Sequence, residues 1–138
     1  MNRLTASFDP DPADGVGLLR FAVKTQDFSG AGGFWAQRSD IEAFAAAVAV
    51  YPLPEATPPS VRLGYNQLDG DDLIVSVQVR AGDRRGGLMV YVEIADHLDL
   101  ARRLKTSFKT GYPELERFQQ RLVRLAKGEV EEAVLDGA

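Results

Sequence analysis

Two runs of strict alternation separated by a Gly-rich turn constrain this chain more than any other feature. In DLIVSVQVR, Leu73, Val75, Val77 and Val79 alternate with Ile74, Ser76, Gln78 and Arg80. In LMVYVEI, Leu88, Val90, Val92 and Ile94 alternate with Met89, Tyr91 and Glu93. A period of two sends successive side chains to opposite faces, so each run makes a strand with one buried side. The intervening AGDRRGG supplies a turn, and residues 72–94 read as an antiparallel hairpin.

The other segments are laid around that hairpin. Residues 1–14 contain DPDPAD, whose prolines and acids predict an irregular lead-in. Residues 16–25 predict a strand with Leu19, Phe21 and Val23 on one face and Arg20 and Lys24 on the other. A tight turn at Gln26 and Asp27 leads to a second strand over 28–37, whose glycines suggest a bulge or a close backbone approach. Ser39 is placed as an N-cap, with Glu42 completing a capping box, for a helix over 40–50 carrying Ile41, Phe44, Ala45 and Val48 on one face. YPLPEATPPS ends that helix. Val61, Leu63 and Tyr65 predict a further strand, and Asp69-Gly70 a turn into the hairpin.

Residues 102–110 read as a strand, with Leu104, Thr106 and Phe108 opposite Arg103, Lys105 and Lys109. A helix from Leu98 competes for the same stretch, because HLDLARRLK also fits helical spacing. Tyr112-Pro113 opens a last helix with the stripe Leu115, Phe118, Leu122 and Leu125, and Gly128 ends it. Residues 129–138 form a weakly ordered acidic tail. Asp40-Ile41-Glu42-Ala43-Phe44 is echoed by Glu114-Leu115-Glu116-Arg117-Phe118, which suggests an internal ββα repeat. The fold class is α+β, one domain over 1–138, with an antiparallel sheet of about five to six strands and two helices packed on one face.

The 138-residue length, 45% hydrophobic content and lack of cysteine describe a globular domain without disulfides, thiol nucleophiles or Cys-ligated metals. The first residues carry no apolar stretch of the signal-peptide kind, and the longest apolar run is too short to cross a bilayer. A cytoplasmic location is the expectation. The net charge of −4 disfavours nucleic acid and gives no reason to expect a membrane partner. Yet residues 98–127 hold eight Lys or Arg against three acids.

Chemical sites are scarce. DFSGAGGFW lacks the spacing of a phosphate loop, and reads as a glycine-weakened strand with Trp35 partly buried. His97, between Asp96 and Asp99, has no nucleophile signature beside it and reads as an exposed connector. Asp69, Asp71 and Asp72 do not follow the twelve-residue calcium-loop pattern, so a hairpin turn is expected there. No catalytic residue, cofactor or metal is assigned. The candidate partner-binding residues are Met89 and Tyr91, outward on a central strand, with the basic set Arg103, Lys105, Lys109, Arg117, Arg121 and Arg124. If the strand and helix cations share a side, they suit an acidic partner.

The run LLRFAVKTQDFSGAGGFWAQRSDIEAF resembles the opening of WapI-like bacterial immunity proteins and their uncharacterised relatives. The resemblance rests on Phe28-Ser29-Gly30 between two strands, on Asp40-Ile41-Glu42-Ala43-Phe44 in the helix, and on SVRLGY, DDLIVSVQVR and GGLMVYVEIA in that order. It spans residues 16–126, while TSFKTGYPELERF looks more like the uncharacterised relatives. It implies a non-enzymatic protein that neutralises a cognate toxin domain by occlusion, its acidic surface suiting a basic nuclease. The alternatives are a small-molecule-binding or hydrolytic domain, with a pocket between sheet and helices near Trp35 and His97, and a self-associating module forming a homodimer through a strand edge.

Overall fold

The computed structural model describes residues 1–65, 72–82 and 85–138. Its elements in order are β1 (Arg3–Pro10), β2 (Val16–Lys24), β3 (Ser29–Gln37), α1 (Arg38–Val48), β4 (Ser60–Gly64), β5 (Leu73–Ala81), β6 (Gly87–Asp96), β7 (Asp99–Gly111), α2 (Tyr112–Ala126) and β8 (Glu132–Asp136). The strands form two four-stranded antiparallel sheets, β3-β2-β1-β8 (sheet A) and β4-β5-β6-β7 (sheet B). The class is α+β, but the single sheet of five to six strands is corrected to two sheets.

Two of the extra strands come from the chain ends. Leu4, Ala6 and Phe8 alternate inward on β1, so the irregular lead-in is confined to the residues after Pro10. Ala133 and Leu135 are fully buried on β8, which pairs with β1, so the tail is the fourth strand of sheet A and not a frayed end. Short alternations of this kind, with only two or three apolar residues, are easily hidden by flanking acids and prolines.

The hairpin that dominates the sequence pairs Val75 with Ile94, Val77 with Val92 and Val79 with Val90. The tip at Asp83 and Arg84, the Asp69-Gly70 turn, and the carboxylates of Asp69 and Asp71 lie outside the described residues. Residues 99–111 resolve as strand, paired with β6 from Leu88–Thr110 to Ala95–Arg103. The Asp96 carboxylate accepts the Leu98 N–H at 2.9 Å, closing a turn where a helix would have to start.

Neither helix belongs to a ββα unit. α1 instead follows the three-stranded meander β1-β2-β3 and α2 the four-stranded meander β4-β5-β6-β7, with β8 added to sheet A beside β1 from the far end of the chain. α1 touches β3 and β4 and α2 touches β7, β8 and β1, so the helix pair bridges the sheets instead of covering one face. Phe44 and Phe118, the aromatic ends of the echoed segments, meet edge to face with centroids 6.3 Å apart. α1 begins two residues earlier than Ser39 implies: the Gln37 N–H donates to the Asp40 carboxylate at 2.7 Å, which makes Gln37 the cap.

The sheets are locked together along β3. A methyl group at Gly32 would stand 2.6 Å from Cγ2 of Ile94, and one at Gly30 would stand 2.8 Å from Cδ2 of Leu104. The glycines are there because sheet B occupies the space a side chain would need. At the opposite seam, the buried Thr110 hydroxyl donates to the Asp136 carbonyl at 2.7 Å, and the Ala138 N–H donates to the Lys109 carbonyl at 3.0 Å. No helix among the described residues is long and apolar enough to cross a membrane.

Candidate partner-binding face

Pleating sends Ser76, Gln78 and Arg80 of β5, Met89, Tyr91 and Glu93 of β6, and Arg103, Lys105, Ser107 and Lys109 of β7 to the side of sheet B that faces away from the core. Tyr91 sits at the middle of this face, 41% exposed, between Gln78 on β5 and Ser107 on β7. The Arg80 guanidinium lies 4.9 Å from the centre of the Tyr91 ring, and its Nε donates to the Gln78 amide oxygen at 2.5 Å. That cation–π contact covers one face of the ring while the residue as a whole stays exposed. Met89, half-buried, lies between Arg80 and Lys109.

One row away, Glu93 is held by two cations. Arg103 Nη1 donates to its carboxylate at 2.6 Å and to the Leu73 carbonyl at 2.8 Å, while Lys105 Nζ stands 3.9 Å from the other oxygen. Arg103 and Glu93 are 15% and 21% exposed at their side chains, so this pair is shielded and structural in character. Lys105 and Lys109 are exposed. With Arg62 on β4, the cations of the face are Arg62, Arg80, Arg103, Lys105 and Lys109, against Glu93 alone among the described residues. A chain of net charge −4 therefore concentrates positive charge on one flat surface.

Five of the eight residues singled out from the sequence, Met89, Tyr91, Arg103, Lys105 and Lys109, are brought together here. The other three are not. Arg117, Arg121 and Arg124 line a groove between α2 and β8, whose opposite wall holds Glu131, Glu132 and Asp136. Arg117 stands 4.0 Å from Glu114, and Arg124 stands 3.9 Å from Glu129. The helix arginines thus face acids of their own chain, which lowers their pull on an outside acid.

Arg80 and Arg62 belong to the face and were passed over in the sequence, although Arg80 sits on the polar side of the β5 alternation. Pairing β5 to β6 through the turn would have put it beside Met89 and Tyr91. Trp35 is 64% exposed, not partly buried, because Phe34 takes the inward position and packs edge to face on Tyr65 at 5.2 Å. His97 is an exposed residue of the β6–β7 turn. Trp35 and His97 line two different grooves on the surface of the molecule, neither of them between sheet and helices. No group of three or more His, Asp or Glu among the described residues is placed to hold a metal ion.

No protein-family model matches the chain, and no curated protein is significantly similar to it.

Proposed function

We propose that this chain is a non-enzymatic protein-binding module of the immunity type, which neutralises a cognate bacterial toxin domain by covering its active site. The outer face of sheet B carries the reading: an exposed tyrosine clamped by an arginine, flanked by methionine and ringed by lysines, on a rigid four-stranded platform. Aromatic and arginine anchors surrounded by charge are the composition of protein-binding hot spots. The resemblance of the segment pattern to WapI-like immunity proteins supports the same reading. Because the face is basic, the patch it meets on the toxin is acidic. The complementarity of an acidic surface to a basic nuclease then falls to the rest of the molecule.

A small-molecule or hydrolytic site between sheet and helices requires a cavity in that place. Phe44, Phe118, Leu115, Leu122 and Leu125 from the helices belong to one buried cluster with Phe21, Leu135 and Val79 from the strands, each at most 3% exposed. Burial of that kind argues for packed side chains over a ligand site.

Co-expression tests the proposal. The C-terminal region of the large protein encoded beside this chain is expressed in a sensitive host, with and without it. Growth restored only in its presence, with copurification of the two, is the expected result. Toxicity that this chain leaves unchanged, with no copurification, rejects it.

A further inference from the structure

The two sheets have four open edges, and one of them differs from the rest. β4 is short and preceded by Pro58 and Pro59; β7 carries Arg102, Lys105 and Lys109; β8 is short, acidic, and tied at its end to β7. Short length, charge and proline are the devices that keep edges from pairing with other chains. β3 runs nine residues, SGAGGFWAQ, with no charge and no proline.

Its backbone is free as well. In an antiparallel ladder, alternate residues exchange both hydrogen bonds with the partner strand, and those between them point the other way. The bonds from Thr25 to Phe28 and from Arg38 to Gly15, at the two ends of the β2–β3 ladder, set the phase: even-numbered residues bond to β2. Ser29, Ala31, Gly33 and Trp35 therefore direct N–H and C=O outward. No backbone partner meets them among the described residues.

A groove of about 760 Å³ runs beside this edge, and its far wall is made by residues 94–97 and 102–104. Arg20, Arg102 and Arg103 line it, with Asp96 the one acid, 3.9 Å from Arg102. Nη2 of Arg103 is buried without a hydrogen-bond partner, and Arg20 enters no ion pair among the described residues.

We propose that an extended, carboxylate-bearing segment of a partner protein adds to sheet A as a fifth strand along β3. Main-chain bonds to Ser29, Ala31, Gly33 and Trp35 supply the affinity, and Arg20 and Arg102 select acidic side chains. A second copy of this chain fits less well. Its own β3 lies behind the same groove wall, and two-fold pairing would bring the two sets of arginines together. Apart from Arg103, which touches both, the site uses different residues from the face of sheet B and does not rest on that face.

The probe is a fluorescein-labelled peptide of alternating valine and glutamate, about eight residues long, followed by anisotropy and by amide exchange on the full chain. Binding is expected, with slowed exchange at the amides of Ser29, Ala31, Gly33 and Trp35. A valine–lysine counterpart should bind at least about tenfold more weakly. Ala31→Pro removes an outward N–H without touching the β2 ladder, and Ala31→Lys places a charge at the edge with the backbone intact. Each should weaken binding by about tenfold or more while leaving the melting curve cooperative. The proposal is overturned if the valine–glutamate peptide does not bind at concentrations on the order of 1 mM. Binding that survives both variants, or outward amides already protected in the free chain, overturns it equally. So does a dimer in sedimentation that Ala31→Lys dissociates, which would make the occupant a second copy.

Discussion

Placing a methyl group on Gly32 tests whether the glycine-rich strand exists to let the two sheets touch. The new Cβ would stand 2.6 Å from Cγ2 of Ile94, whereas ordinary van der Waals contact begins at 3.4 Å. Ile94 branches at Cβ, so that methyl cannot swing aside without leaving its rotamer well. Overpacking of this kind costs about 1–3 kcal/mol. Replacing glycine by alanine in a strand returns roughly 0.5–1 kcal/mol of backbone entropy. The net expectation for Gly32→Ala is a loss of about 1–2 kcal/mol, read by urea denaturation as a lower midpoint at unchanged slope.

Gly30→Ala is the internal comparison. Its Cβ would stand 2.8 Å from Cδ2 of Leu104, the far end of a flexible side chain that can give way, so the loss should stay below about 1 kcal/mol. Ile94→Ala removes the obstructing methyl, so Gly32→Ala should cost much less in that background. A coupling of about 1 kcal/mol or more is expected from the cycle. Gly32→Ala at wild-type stability, or a penalty unchanged by Ile94→Ala, would refute the claim that these glycines serve the contact between sheets.

Three further outcomes follow from the packing. Arg103→Ala strips Glu93 of its 2.6 Å partner and leaves Lys105 at 3.9 Å, so denaturation should show a loss of about 2 kcal/mol, reduced when Glu93→Leu is added. Phe118→Ala and Phe44→Ala should each cost about 3–5 kcal/mol, and their double-mutant cycle should show about 0.5–1.5 kcal/mol of coupling from the ring contact at 6.3 Å. Truncation after Gly128 removes β8 with its buried Ala133 and Leu135 and turns β1 into an edge, so the shortened chain should lose its cooperative unfolding transition in calorimetry.

What could be read from the residues, and what could not, follows from where the deciding forces lie. The 73–94 hairpin and α2 were legible because each carries its own strong period, four alternating apolar residues per strand and a stripe at Leu115, Phe118, Leu122 and Leu125. Residues 99–111 satisfied both a helix and a strand, and only pairing with β6, a partner elsewhere in the chain, decides for the strand. β8 was missed because its partner, β1, lies more than a hundred residues away, whereas β1 also pairs with its neighbour β2 and was hidden by the acids and prolines that follow it. The split into two sheets is a property of the link from β3 to β4, a helix and a proline-rich loop that carry the chain away from the β3 edge.

On the functional side, alternation was enough to put Met89, Tyr91, Lys105 and Lys109 on one outward face. It could not separate them from Arg117, Arg121 and Arg124, because the acids that front the helix arginines lie on β8. Trp35 was misplaced for a related reason. Next to Phe34 in a glycine-rich strand, either aromatic could have faced inward, and the phase is set by the pairing of Phe34 with Leu19 on the buried side of β2.

The claim at the centre of this account is that a partner docks on the outer face of sheet B. The most direct measurement is toxin rescue by a variant carrying Tyr91→Ala, Lys105→Glu and Lys109→Glu, matched to wild type in expression and melting temperature. All three side chains lie outside the core, so the fold should persist. The account predicts that wild type restores growth and copurifies with the toxin domain, and that the variant does neither. Equal protection by the variant would contradict it.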